Sequence, residues 1–584
     1  MKKSHKSKKQ TLFDPDKVAT AIHQAITRDF KGAQHVYCLN DRTTLYAFNR
    51  QVNEFRKKYV SPDLSQETLE DLTYEKFHKV NAHMAEVNER LKLCLPSDQS
   101  RIQSSTPYME KIHRRARALV HSVLRPFSVE EWFTECKNSV GSSIGVSYSD
   151  TSNEAKFTFP MSTTKRAKPY MDAYMLFDGN MNRAVKAFNR DNPVKDMYEY
   201  IEGSRATTVE KNETIRRFIA IEGSCNMFLQ QGLMSMMYED MKKFHLDVEF
   251  LPEQHKQKAK VASVSLHNAT IDWSSASDCG SRVLYRWLLP PKWFSAVDKT
   301  RSTCTFIKGE KVDLNMFSTM GNAVTFPLET LVFWAYANAT ILSQTKTNAL
   351  FPNWEDLKQV SVFGDDCIVP SSIASEFIRV MTTVGFIIND DKSYYGTEQF
   401  RESCGGDYLQ GVDVRPYCLK APRSTKLSSL EPWLYIIANS LITRYISYFG
   451  VTSYLYDKEL FRTLAELFGR YKFQVKLVPS YFPDDSGLKM SFDIERFQRH
   501  YGLKLSPIAR SCHGTYSFNF LRFVYWQREK KDEGIQLCLW LKKPRQSVRP
   551  PLHDRYLRKR GGYVVAKGAS CHWHVPAIKS VPSQ

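Results

Sequence analysis

Val360-Ser361-Val362-Phe363-Gly364-Asp365-Asp366-Cys367-Ile368-Val369 is the stretch on which the fold turns. Two short apolar, β-branched runs flank Gly-Asp-Asp, and that pattern predicts strand, tight turn, strand. The turn holds two adjacent carboxylates at a fixed tip. Two such charges ~4 Å apart repel by about 4 kcal/mol at an effective dielectric of 20. Solvent, a proton or a cation has to neutralise them. Hard divalent cations take oxygen ligands, and Mg²⁺ is held by a few carboxylates together with substrate phosphates. On its own the tripeptide is a weak signal, because an exposed Asp-rich hairpin turn reads the same way.

Upstream, Asn268-Ala269-Thr270-Ile271-Asp272 reads as a short strand closed by a third carboxylate. A charge at the end of an apolar strand is unusual without a partner. If this strand lies beside the hairpin, Asp272 reaches the same point as Asp365. Three acids there can hold two cations about 3.5–4 Å apart for an in-line displacement at phosphorus. The other reading of Asp272 is an N-cap for the helix beyond, a role that Asp278 fills better. Ser281 to Leu289 reads as a helix stopped by Pro290-Pro291. Thr303 to Ile307 and Lys311 to Phe317 read as a hairpin about Lys308-Gly309. A loop, Ser318 to Asn322, leads into a long apolar helix ending near Gln344, and Ile373 to Val384 is a further helix. Helices and strands alternating about a small sheet make an α+β pattern. Residues from about 16 to 125 read as mainly helical, and 140–160 as strands or loops. Segment 205–250 begins basic and turns helical, with Met227, Leu229, Leu233, Met236 and Met237 on one face; from about 430 the chain again reads as largely helical.

Composition narrows the function classes. At 584 residues the chain exceeds one core, so two to four subdomains are expected. Hydrophobic residues at 42% exclude disorder by composition. A net charge of +20 favours a polyanionic partner, nucleic acid, over a merely basic enzyme. Twelve cysteines without a CxxC pair read as reduced thiols in a cytoplasmic compartment, not as a disulfide framework or zinc ribbon. The tightest metal-like cluster, Cys571-His572-Trp573-His574, lacks a second ligand pair. No apolar run approaches the ~18 residues of a membrane span, and Met1 to Gln10 reads as a basic arm, not a signal peptide. Near the end, Lys542, Lys543, Arg545, Arg549, Arg555, Arg558, Lys559 and Arg560 interleave with Trp526, Trp540 and Tyr556. Such a run is either a solvated face or a surface for single-stranded nucleic acid.

Three stretches stand in the order of a viral RNA polymerase palm, and their wording resembles the replicases of positive-strand RNA bacteriophages, the levivirus or Q-beta group. Ala269-Thr270-Ile271-Asp272 with Ser274 to Asp278 resembles that group's motif A, Phe317 to Asn322 with Thr325-Phe326 its motif B, and Val362 to Asp366 its motif C. Phe400-Arg401-Glu402-Ser403-Cys404-Gly405, with Gly411 to Val414 and Pro416, resembles motif E. Lys211-Asn212 and Arg217 to Gly223 resemble the basic motif F. The likeness is dense from about 205 to 420 and thin elsewhere.

The resemblance implies an RNA-directed RNA polymerase of right-hand architecture: N-terminal region and fingers over 1–267, palm over 268–420 with a fingers insertion between motifs A and B, and a mainly helical thumb with a basic C-terminal region over 421–584. It gives Asp272, Asp365 and Asp366 the metal-ligand roles, with two Mg²⁺ ions as cofactors and Mn²⁺ as the alternative. Asp278, Ser318 and Asn322 would read the ribose 2′-hydroxyl of the incoming nucleotide. The physics agrees, since a site built around that bond rejects a deoxy analogue by leaving polar groups unpaired; helix capping is the other reading of Ser318 and Asn322. Gly321 would permit a close turn where template or nucleotide approaches. Lys211, Arg216 and Arg217 would meet the triphosphate, Arg217 by motif alignment and Arg216 with ordinary surface as its other reading. Lys392 falls at motif D, as a general acid for the departing pyrophosphate or as a solvent-exposed loop lysine.

The implied role is copying a phage genome in the bacterial cytoplasm, with RNA template and product and ribonucleoside triphosphates as partners and no membrane. Members of the group recruit the host elongation factors Tu and Ts and a ribosomal protein. The chain departs from the group at Trp273 (a Leu elsewhere), at Cys279-Gly280 (a Ser-Ile type pair) and at Pro327 (a Glu). Pro327 requires that the motif B helix begin near Thr325 or bend. Three other classes stay open. A non-enzymatic RNA-binding protein leaves the placed carboxylates without a reason. A metal-dependent nuclease needs neither Asn322 nor Arg217, and a reverse transcriptase would lack the ribose preference.

Overall fold

The computed structural model describes residues 12–34, 42–61, 65–95, 106–147, 150–212, 214–344, 357–449, 457–489, 499–510, 515–525, 534–535, 537–538 and 561–570. The basic arm Met1 to Gln10, the basic run Lys542 to Arg560 with Trp526, Trp540 and Tyr556, and the Cys571 to His574 cluster lie outside the described residues.

The N-terminal region contributes α1 (Pro15–Gln34), α2 (Arg42–Glu54), α3 (Gln66–Cys94) and α4 (Pro107–Val123). Side-chain caps start the last two: Ser65 accepts the Thr68 N–H and Thr106 the Met109 N–H, with Pro107 in the first turn. The basic stretch then folds as an antiparallel hairpin, β1 (Ser204–Glu210) and β2 (Arg216–Ile221), before α5 (Ser224–Lys242) and α6 (Leu251–Ser265). Next come β3 (Asn268–Ile271), α7 (Arg282–Leu288), α8 (Pro291–Thr300), β4 (Cys304–Ile307), β5 (Glu310–Asp313) and α9 (Thr325–Gln344). The hairpin β6 (Ser361–Phe363) and β7 (Asp366–Pro370) leads to α10 (Ala374–Thr383) and the meander β8 (Phe400–Ser403), β9 (Gly406–Leu409), β10 (Val412–Asp413). The chain continues with α11 (Leu427–Phe449), α12 (Glu459–Arg470), β11 (Ile508–Arg510), β12 (Tyr516–Tyr525) and β13 (Gly561–Ser570). Helices with small, mostly antiparallel sheets make the fold α+β.

Two proline positions behave as helix chemistry dictates. Pro290-Pro291 ends α7, yet Pro291 also opens α8, because a first-turn proline loses no helical hydrogen bond. Pro327 is the third residue of α9, where its missing N–H has no partner to lose. Of the two options for that helix, it begins at Thr325. Nearly all of α9 is buried, as an apolar helix through a core must be. On it His113 of α4 meets the Tyr336 hydroxyl at 2.9 Å. Trp273 is buried too, stacked on Phe333 with ring centroids 5.2 Å apart and edge-on to Phe377 at 5.9 Å. The departure from Leu is thus filled by an aromatic cluster.

Two main cores result. The larger runs through α3, α4, α5, α9, α10 and the sheet of β3, β7 and β6. The other joins α1 to α11, α12 and β12 through Ile22, Leu434, Tyr445, Phe461 and Phe518. The first helix therefore packs with the C-terminal region, although chain order grouped it with 1–267. Asp29 of α1 fastens this core. Its carboxyl accepts the Tyr445 hydroxyl at 2.9 Å and the Glu459 and Leu460 N–H groups of α12 at 2.7 and 2.9 Å. It thereby caps a helix remote in sequence. The expectation of a mainly helical 421–584 holds only through α12. Beyond it, β11, β12 and β13 form an antiparallel sheet in which β12 and β13 pair over ten residues. The alternation Tyr516, Phe518, Phe520 is the period-two signal of that strand. Among the described residues no helix is long and apolar enough to cross a membrane.

Candidate active site

Register decides where the acids stand. β7 pairs antiparallel with β3 as Cys367↔Ile271, Ile368↔Thr270 and Val369↔Ala269. The ladder ends at the Cys367–Ile271 pair, so Asp272 and Asp366, the next residue on each strand, both stand at its end beside the hairpin turn. Asp366 also pairs with Phe363 across the hairpin, which leaves Asp365 at its tip. Gly364 shapes that tip for two reasons. Its φ is +61°, and a Cβ there would stand 2.5 Å from the Phe326 ring of α9. Its N–H donates to Thr330 Oγ1 at 2.9 Å, so the hairpin tip is bolted to α9. On the other strand, the Asp272 N–H donates to Ser393 Oγ at 3.1 Å and the Asn389 side-chain amide donates to Asp272 Oδ2 at 2.5 Å.

Burial pushes all three carboxyls above the usual carboxylate range. Asp272 adds to the rise at Asp365. Asp365 in turn adds to the rise at Asp366, which is pushed up to about 7. At Asp272 burial prevails over the opposing pull of Lys392, Asn389 and Lys211. Two more acids face this region. Burial pushes Asp278 up to about 7, against Lys76 and the Met320 N–H, and its Oδ1 has no hydrogen-bond partner. Glu329 of α9 is buried with Oε1 unpartnered, and burial together with Asp365, Asp278, Asp272 and Asp366 raises it well above its ordinary value. Five carboxyls thus share one region of low dielectric. Among the described residues no three His, Cys, Asp or Glu side chains already stand at metal-binding spacing. Mg²⁺ does not need such a cage, since it keeps waters and takes one or two carboxylates plus substrate phosphates. An open, proton-hungry acid set suits that ion.

Two clefts meet at these acids. The larger, 860 Å³, runs past α2 and α11 and carries Arg50, Lys57, Lys58, Arg415, Lys420 and Arg444. The smaller, 490 Å³, carries Lys76, Lys211, Arg216, Arg217 and Asp278. Asp272, Asp365 and Lys392 line both. Lys392 Nζ lies 3.9 Å from Glu402 Oε1. Burial works against its charge, but Asp272, Glu402, Asp366 and Asp365 hold its pKa above the ordinary lysine value. Burial, with Lys76, Arg217 and Lys392 nearby, lowers that of Lys211. The two arginines of β2 part company, as neighbours on a strand do. Arg217 is exposed, whereas Arg216 is tied to β1, Nε to Thr208 Oγ1 at 2.7 Å and a terminal nitrogen to Thr208 O at 3.3 Å.

The loop 318–322 is fixed from outside. Ser318 Oγ accepts from Thr325 Oγ1 at 2.8 Å. Asn322 Oδ1 accepts the Val324 N–H at 3.0 Å, a turn just ahead of α9, while its Nδ2 donates to Glu222 Oε1 at 3.2 Å. Gly321 has φ +117°, and a Cβ there would lie 2.1 Å from the Ala220 carbonyl oxygen. The Ala220 N–H donates to Met320 O at 2.8 Å. The close approach at this glycine, expected as a close turn where template or nucleotide comes near, is made here by the chain's own β2 backbone. Glu222 and Glu402 stand inside the stretches that resemble motifs F and E but carry no role from the sequence, and Glu329 and Lys76 are not reached by it. Glu222 carried a usable signal, because it follows the apolar Phe218-Ile219-Ala220-Ile221 just as Asp272 follows its strand.

Comparison with known proteins gives the family. The family model described as RNA replicase, beta-chain, matches residues 17–476. The RNA-directed RNA polymerase beta chain of Enterobacteria phage fr is 32% identical over 426 residues, 72% of each chain. That of Escherichia phage MS2 is 30% identical over 355 residues, 60% of this chain and 59% of the relative. The RNA-directed RNA polymerase subunit beta of Escherichia virus Qbeta is 32% identical over 372 residues, 63% of this chain and 58% of the relative. With a family match across most of its length and a relative 32% identical over 72% of each chain, this chain belongs to the RNA replicase beta-chain family.

Proposed function

We propose that the chain copies viral RNA from an RNA template in the infected bacterium, as an RNA-directed RNA polymerase that adds ribonucleotides by nucleotidyl transfer. The observation that supports this most is the β3–β7 register, which ends with Ile271 opposite Cys367 and so brings Asp272 to the turn that carries Asp365 and Asp366, in the larger of two cation-lined clefts. Asp272, Asp365 and Asp366 are the residues to hold two Mg²⁺ ions, with Mn²⁺ as a substitute. When bound, such ions supply Lewis-acid activation of a hydroxyl and charge neutralisation at a leaving phosphate.

The 3′-hydroxyl of the growing strand attacks the α-phosphorus; a P–O bond forms, the bond to the β-phosphate oxygen breaks, and pyrophosphate leaves. The protein's part is positioning and charge. Lys211 and Arg217 meet the triphosphate in the smaller cleft, and Asp278, Ser318 and Asn322 read the ribose. Lys392, kept protonated by the acids about it, donates its proton to the departing pyrophosphate. The larger cleft, with Lys57, Lys58, Arg415 and Arg444, takes the sugar-phosphate backbone of the RNA.

In the right-hand arrangement this reading assigns, 268–420 is the palm, α1 joins the thumb core, and fingers come from the rest of 1–267 and from the segment between β3 and α9. The family resemblance brings host elongation factors Tu and Ts and a ribosomal protein as partners, which affinity capture of the tagged chain from bacterial extract tests. Incubating the full chain with RNA template, ribonucleotides and Mg²⁺, with and without bacterial extract, tests the activity. Extension supports the reading; cleavage or no reaction in both arms refutes it.

A further inference from the structure

We infer that Glu222 is a positioning residue for ribose selection, acting through Asn322 by fixing which end of that amide faces the nucleotide; the inference rests on the ribose-reading role proposed for Asn322. Glu222 follows β2, at the β2–α5 junction, and is 3% exposed. Its carboxyl also takes a hydrogen bond from Gln230 of α5. The Ser302 N–H reaches Oε1 at 3.3 Å, Ser302 Oγ reaches Oε2 at 2.5 Å, and Asn322 Nδ2 reaches Oε1 at 3.2 Å. Oε1 takes the Ser302 N–H and so stands as an acceptor toward Asn322, and the Val324 N–H can only donate, so Asn322 fits between them in a single orientation. Its Oδ1 is taken by the Val324 N–H. One N–H of Nδ2 is spent on Glu222, and the second is left to donate.

The consequence is a fixed polarity. A ribose 2′-hydroxyl accepts from the Asn322 N–H and donates to an acid, for which Asp278 with its unpartnered Oδ1 is placed beside Met320 of the same loop. A deoxyribose offers neither function and strands both groups. The remainder of the loop is held in the same way: Gln230 Oε1 accepts the Ala323 N–H at 3.2 Å, and the β2 backbone grips Met320. Glu222 therefore does for the amide what β2 does for the loop backbone. In Glu222→Met, a side chain of similar size offers no acceptor, and nothing then holds the Asn322 amide in one orientation. Glu222→Gln can keep an oxygen at the Oε1 position with its amide nitrogen toward the Ser302 hydroxyl, and so leaves the polarity set.

The test compares template-directed incorporation of a ribonucleoside triphosphate with that of its 2′-deoxy analogue by the full chain in the presence of bacterial extract, reading the ratio of the two kcat/KM values. Glu222→Met is expected to lower the ratio at least tenfold, mostly through the ribonucleotide. Asn322→Ala should give a similar fall, and the Met and Ala double variant no further fall. Glu222→Gln, which can keep the acceptor toward Asn322, should stay near wild type. Thermal unfolding of each variant separates misfolding from misorientation. If Glu222→Met leaves the ratio unchanged or slows both nucleotides equally, Glu222 is a scaffold residue and the inference fails, while a fall in Asn322→Ala keeps the ribose reading intact. An unchanged ratio in Asn322→Ala overturns both.

Discussion

The carboxylates and the ribose-side loop occupy one region but are positioned by different means. Asp272, Asp365 and Asp366 are placed by backbone: a three-stranded antiparallel ladder fixes their register, and Gly364 fixes the tip. Ser318 to Asn322 belongs to no helix or strand, and its shape comes from Glu222, Gln230, Thr325 and the Ala220 backbone. A ladder shares its load among many equivalent bonds, whereas a side-chain network depends on each member. Substitutions on the strand side should therefore remove chemistry and leave the fold, and substitutions on the loop side should change geometry first.

The largest effect is expected for Asp365→Asn. Synthesis should drop by on the order of 10²–10³-fold, while the melting temperature holds or rises, because a crowded charge has gone. A cooperative loss of structure in that variant would break the contrast. Next, Lys392→Ala should slow a single turnover by roughly 10²-fold with little change in nucleotide KM. Lys392→Arg should not restore it, since a guanidinium holds its proton; full rescue by Arg would reduce Lys392 to a point charge. Gly321→Ala comes third: the left-handed backbone and the 2.1 Å approach to Ala220 should cost about 1–3 kcal/mol of stability, read by denaturant unfolding. An unperturbed midpoint would show that the loop yields more freely than its hydrogen bonds allow.

The smallest effect is a pH slope. Asp366 and Asp278 are each pushed up to about 7, above the ordinary carboxyl value near 4. Between those limits the folded protein keeps protons that the unfolded chain has released, so stability should decline as pH rises from about 4 through about 7 and level off beyond. In EDTA the melting temperature should drop by roughly a few degrees over that window. Mg²⁺ should recover most of the loss at pH 8 and little at pH 5, and Asp366→Asn should flatten the slope. A melting temperature that climbs with pH in EDTA would reverse the assigned direction.

What the sequence disclosed follows the same division. The strand Asn268 to Ile271, the hairpin about Gly364 and the long helix from Thr325 were legible because period, turn chemistry and length act within a dozen residues. Pro327 narrowed α9 to a start near Thr325 or a bend, and the helix starts at Thr325. Glu222 and Glu329 were not singled out, because their importance lies in partners a hundred residues away or across a core. The β1–β2 hairpin escaped notice because its basic residues drew attention to charge and away from alternation. At the C-terminal end, β12 had a clear two-residue period that the preceding helices obscured.

The Asp29 fastening has a consequence for assembly during synthesis. The N–H groups it caps on α12 follow it by 430 and 431 residues. At the roughly 5–20 residues per second of translation, α1 leaves the ribosome tens of seconds ahead of the helix it completes. Its apolar face has to wait, shielded or not, until α12 has been made, so a nascent chain interrupted before α12 leaves that face without its cover.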